Sequence, residues 1–222
     1  MNEAFRRALR DVVPAYIVAG AILGTAVALS QVKGISIGDL TRDPSNIFGY
    51  PFYVGGISYL GAILWTATAS LCLFAALLLS TREDHADKRD FSRFLCASGL
   101  LSLLLLFDDL FLFHEKFFPS YLRIPEIVTF SAYGTIAVAY LVAFRRTILK
   151  TPFVLLIVAD GLLGLAMTAD TLTNDAFDTS SKFLVEDGLK FFGITTWFVY
   201  YARVAIDQCS NRPALAVRPL HG

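Results

Sequence analysis

The sequence predicts an all-α, polytopic transmembrane bundle of six helices with both termini in the cytoplasm. Three observations carry that prediction. The 222 residues are 55% hydrophobic and only 17% charged, with a mean hydropathy of +0.58, an excess of apolar surface that water does not tolerate. The apolar residues fall into six runs, each close to the roughly 20 residues a helix needs to cross a hydrocarbon core. Basic residues alternate between rich and poor segments at every run boundary.

The runs extend over residues 12–32, 54–79, 91–113, 127–144, 153–172 and 183–205, and together they form a single domain covering residues 1–222. The first follows Arg6, Arg7 and Arg10 and contains the Gly20/Gly24 step, a spacing that lets a second helix approach closely. Arg6 and Arg7, the apolar run and Ala26-Val27-Ala28 also fit a cleaved export signal. The run is longer than a usual signal core, so retention as a span is the expectation.

Direction follows from the retention of Lys and Arg on the cytoplasmic side. The N-terminal, second, fourth and C-terminal flanks hold 13 basic residues: Arg6, Arg7, Arg10, Arg82, Lys88, Arg89, Arg93, Arg145, Arg146, Lys150, Arg203, Arg212 and Arg218. The alternate flanks hold five, Lys33, Arg42, Lys116, Arg123 and Lys182. The localisation expected is therefore a bacterial-type inner membrane or a plasma membrane, with the lipid bilayer itself as the first partner. Nineteen basic and 19 acidic residues give no reason to expect nucleic acid. Cys72, Cys96 and Cys209 form no disulfide framework.

Ionisable groups in hydrocarbon are costly and mark functional sites by default. The third run ends in Asp108-Asp109-Leu-Phe-Leu-Phe-His114-Glu115, the fifth contains Asp160 and Asp170, and the sixth begins with Glu186, Asp187 and Lys190. All but Asp160 belong to the outer half of the derived topology. Asp108 and Glu115, seven apart, are expected on one helical face, and Asp109 with Ser102 on another. Glu186 and Lys190 form an i, i+4 pair, with Gly193 and Trp197 continuing their stripe. Asp175 and Asp178 add to an acidic outer face, and Trp197, Tyr200 and Tyr201 read as an interfacial belt.

Carboxylates this close resist joint ionisation and need cations or protons. One expectation is a cation-dependent enzyme acting on a lipid or other membrane-embedded substrate. Asp108, Asp109 and Lys190 would then be catalytic, Lys190 stabilising developing negative charge, and His114, Glu115, Glu186 and Asp187 would hold a divalent metal ion. A second is a proton- or cation-coupled transporter or channel taking a small ion, with Asp160 and Asp170 as its proton relay. A third is a scaffold in which Lys190 clamps Asp108 or Asp109. His-Glu at adjacent positions is not the HExxH spacing of a zinc protease, and no nucleotide-binding glycine loop, GxSxG elbow, paired CxxC or haem motif occurs.

Overall fold

The computed structural model describes residues 3–81, 86–172 and 179–210, with side chains for 12–81, 87–168 and 184–210. Of the described residues 87% are helical, and no strand occurs among them. It divides into two compact units, Met1–Gly56 and Ile57–Gly222.

The first unit holds α1 (Glu3–Lys33) and two one-turn helices, α2 (Ile37–Thr41) and α3 (Pro44–Phe48). Ser36 starts α2 by accepting a hydrogen bond from the Gly38 amide at 3.2 Å. Pro44 starts α3, where a missing N–H costs nothing. Among the described residues nothing lies within 4 Å of a Cβ built on Gly20 or Gly24.

The second unit contains α4 from Ile57 onward (Gly56–Ser80), α5 (Ala86–Phe111), a π-helical segment (Phe113–Leu122), α6 (Glu126–Ile148), α7 (Val154–Leu172) and α8 (Thr179–Cys209). Every expected run therefore corresponds to a helix, with ends displaced by a few residues. Among the described residues four helices are long and apolar enough to cross a membrane: Val12–Lys33 within α1, α4, Asp87–Phe111 within α5, and α6. The purely apolar part of α7 is shorter, Val154–Thr168. The 31-residue α8 carries Glu186, Asp187, Lys190, Arg203 and Asp207 along its length.

The core of this unit is aromatic and lies where α4, α5, α6 and α8 meet. Phe94 packs on Tyr140, Phe144 and Tyr201 with ring centroids 5.6–6.0 Å apart. Trp197 packs on Trp65 at 5.7 Å and on Tyr201 at 5.1 Å. The expected interfacial belt of Trp197, Tyr200 and Tyr201 is thus overturned: all three are buried. Their polar atoms find partners inside, Tyr200 with the Thr151 hydroxyl at 2.8 Å and Trp197 donating to Ser102 Oγ at 3.0 Å, which is what makes their burial affordable. Exposed aromatics instead stack along the end of α5 and the π segment, from Phe107 through Phe111 and Phe117 to Tyr121.

Helix α5 runs antiparallel to α8 through evenly spaced rungs. Asp109 pairs with Lys190, and Ser102, seven residues earlier, meets Trp197, seven residues later. Close approach of neighbouring helices needs missing side chains. A Cβ on Gly99 would come within 2.7 Å of Leu73, and one on Gly193 within 2.8 Å of Leu163. Gly193 is therefore the packing contact that its place in the α8 stripe suggested.

Candidate functional site

The site begins where α5 stops. Leu112 takes a left-handed conformation, φ 50°, which a leucine adopts only under constraint. This ends α5 after Phe111 and is followed by a π segment that stops at a second left-handed residue, Arg123 (φ 56°). The expectation that Asp108 and Glu115 share one helical face fails for this reason, since no continuous helix joins them.

The break brings His114 onto Asp108. The His114 amide, which would be an orphan donor at the new helix start, bonds Asp108 Oδ1 at 3.1 Å. Its ring Nδ1 meets Asp108 Oδ2 at 2.6 Å. The Tyr133 hydroxyl from α6 donates to Oδ1 at 2.7 Å, and the imidazole packs against Phe130 at 5.1 Å. Both carboxylate oxygens of the buried Asp108 are therefore engaged, and the ring is held with Nε2 turned away from Asp108. Nε2 lies 3.5 Å from the exposed Glu115 Oε1. Burial pulls the His114 pKa down, but the Asp108 hydrogen bond and charge, together with Glu115, outweigh it and leave the imidazole raised above its ordinary value.

Asp109, on the next face of α5, forms an ion pair with Lys190 through Oδ1. Its side chain is 9% exposed against 39% for Lys190, and its second oxygen, Oδ2, is buried with no hydrogen-bond partner among the described residues. Two adjacent carboxylates of one helix thus hold two different bases in place.

Both bases line a pocket of about 140 Å³. Its lining combines the polar Asp108, Asp109, His114, Glu115, Glu186 and Lys190 with the apolar Trp65, Leu105, Phe130, Leu163, Ala166 and Met167. Ionisable groups of the third and sixth runs converge, whereas among the described residues the fifth run brings only the apolar Leu163, Ala166 and Met167; Trp65 enters from α4 and Phe130 from α6, and Tyr133 of α6 reaches Asp108. Tyr133 had no signal beyond being a polar aromatic within an apolar run.

The expected metal shell of His114, Glu115, Glu186 and Asp187 is not assembled. His114 commits Nδ1 to Asp108, and Asp187 lines a different, smaller cavity with Asp109 and Lys190. Among the described residues no three His, Cys, Asp or Glu side chains group as a metal site would require. Asp160, in α7, is not among the residues lining either cavity. Asp170 lies on α7 with its side chain outside the described residues, as does that of Lys182. Arg82, Asp175, Asp178, Arg212 and Arg218 lie outside the described residues altogether.

No curated protein and no solved structure matches the chain. One family model, described as "Domain of unknown function (DUF8692)", matches residues 15–204.

Proposed function

The chain belongs to the DUF8692 family, and we propose that it is a multi-pass integral membrane protein performing acid–base chemistry on an amphipathic, membrane-embedded substrate. In this reading all six long helices are spans and both termini are cytoplasmic. Support for the two less apolar spans comes from where their charges go. The Lys190 charge on α8 is turned to Asp109 and the pocket instead of lipid, as intramembrane ionisable groups require.

The observation that carries the reading is the Asp108–His114 pair in a half-apolar pocket. A carboxylate bonded to Nδ1 fixes the ring's orientation and stabilises its protonated form, leaving Nε2 to take or give a proton. The apolar lining suits an acyl or prenyl chain, and the polar lining suits a head group. Lys190 is one of the polar residues there, where it would meet negative charge developing on the substrate. The geometry favours proton transfer at His114 over ligation of a metal by the four residues first considered. A pure clamp accounts for Asp109 and Lys190, but gives no reason for the strained turn that brings His114 to Asp108.

The test is to incubate the purified protein with a total membrane-lipid extract and follow all species by mass spectrometry, beside His114→Gln. Time-dependent conversion of one lipid class, slowed by roughly 10²–10⁴ in the variant, is expected. An unchanged extract, or equal conversion by both proteins, overturns the reading.

A further inference from the structure

Five aromatic rings run unbroken across the helix break at Leu112. Phe107 stacks on Phe111 with centroids 6.0 Å apart, Phe111 on Phe113 at 5.7 Å, Phe113 on Phe117 at 5.5 Å, and Phe117 on Tyr121 at 5.7 Å. In α5 the two rings are an i, i+4 pair on one face. In the π segment the wider i→i+5 turn sets Phe113, Phe117 and Tyr121 nearly one above another. At the left-handed Leu112 the stack passes from Phe111 to Phe113, two residues on instead of four. Phe113 is half-buried, and the other four rings are exposed together with Leu110, Leu112 and Leu122.

A contiguous apolar surface of this kind is not normally left in water, and three observations name what meets it. Phe107 and Phe111 belong to the exposed face of α5, a helix long and apolar enough to cross a membrane, so the ladder continues a surface that meets acyl chains. His114 and Glu115 of the same segment line the pocket, which makes the segment amphipathic. Lys116 within it and Arg123 at its end are exposed, cations suited to the phosphates of lipid head groups. We propose that the segment Phe113–Leu122 is an interfacial element, its aromatic ladder seated in the boundary between the head groups and acyl chains of the bilayer. Aromatic rings favour that layer, and the belt expected of Trp197, Tyr200 and Tyr201 is formed here instead. The inference rests on the membrane-protein reading and not on the chemistry at His114.

Spin labels on the full chain, reconstituted in vesicles of phosphatidylcholine and phosphatidylglycerol, test it. Cys96→Ala and Cys209→Ala clear the background, and the buried Cys72 is kept. One cysteine is then introduced at a time: Phe117→Cys or Tyr121→Cys in the ladder, Val142→Cys on the exposed face of α6 as the lipid reference, and Lys150→Cys beyond the end of α6 as the water reference. Relaxation of each label by oxygen, which concentrates in lipid, is compared with relaxation by a water-soluble nickel chelate. The oxygen-to-nickel ratio at the Phe117 and Tyr121 positions should be several-fold above that at Lys150, toward the value at Val142. Ratios there equal to that at Lys150, with Val142 in lipid, overturn the proposal and leave the spans standing. Weak relaxation by both reagents in the ladder also overturns it, and means that a second copy or another protein covers the rings. A water-like ratio at Val142 as well removes the membrane-protein reading and this inference with it.

Discussion

His114 Nδ1 lies 2.6 Å from Asp108 Oδ2 although the two residues stand on opposite sides of a helix break. A left-handed leucine costs of order 1–2 kcal/mol, and the three hydrogen bonds gathered on Asp108 are what offset it. Strain of this kind, held in place by surrounding contacts, concentrates at functional turns, and here the turn delivers an oriented imidazole to the pocket.

A pH dependence follows from the raised His114 pKa. Relative to an unfolded imidazole near 6.5, the folded chain holds the proton more tightly, because the effect of Asp108 and Glu115 exceeds that of burial. The stability contributed by the pair is thus fully present below about pH 6.5 and is lost as pH rises through the higher folded value. Unfolding scans from pH 5.5 to 9 should show Tm falling across that window. Asp108→Asn should flatten the slope and move the imidazole's NMR titration to lower pH. An His114 titration at or below the unfolded value in the parent protein would refute the sign.

The helices were legible in the sequence and the turn between them was not. Hydropathy alone placed all six helices, because an apolar run of about 20 residues has few folded alternatives. The sequence left Lys190 to clamp either Asp108 or Asp109, and the structure pairs it with Asp109; the seven-residue spacing of Ser102 and Asp109 put both on one face, and both meet α8. The helical periodicity that succeeded there failed across Leu112, since nothing about a leucine between phenylalanines announces a left-handed residue. Tyr200 and Tyr201 misled for a related reason. A tyrosine at an apparent membrane edge and one buried with an internal hydroxyl partner look identical until the partner, Thr151 or Tyr140, is seen.

Gly193 of α8 packs against Leu163 of α7, which lines the pocket. In Gly193→Ala the new methyl would sit 2.8 Å from Leu163 Cγ and 3.2 Å from the Leu163 backbone nitrogen, so the backbones themselves must separate. A loss of about 1–3 kcal/mol is expected, with the pocket wall at Leu163 displaced. Gly161→Ala on α7 meets nothing within 4 Å and should be neutral or slightly stabilising through helix propensity. Denaturation of the two variants in mixed micelles checks the contrast, and equal effects would show that the α7–α8 approach is not limiting.

Topology gives a prediction independent of any chemistry. With all six long helices spanning, as proposed, the 13-to-5 division of basic residues puts both termini on the cytoplasmic side, since an even number of spans returns the chain to its start. A reporter fluorescent only in the cytoplasm should report when fused after residue 222. An exported phosphatase should be active when fused in the Lys33–Tyr53 connection. A phosphatase-active C-terminus would remove either α7 or α8 from the set of spans.

The hydroxyl relay in the core fixes its own donors. Ser98 Oγ donates to the Phe94 carbonyl at 2.7 Å, so it must accept from Tyr140, 2.7 Å away. Tyr140 has then spent its proton and accepts from Tyr201, also at 2.7 Å. Tyr140→Phe should therefore be the worse single change. It takes from the buried Tyr201 hydroxyl its acceptor at 2.7 Å, at a cost of about 1–3 kcal/mol, whereas Tyr201→Phe removes only the terminal donor. Adding Tyr201→Phe to Tyr140→Phe removes the orphaned group and should restore part of the stability. A double-mutant cycle read by unfolding decides it: strictly additive losses would mean that the two hydroxyls are not joined as the geometry requires.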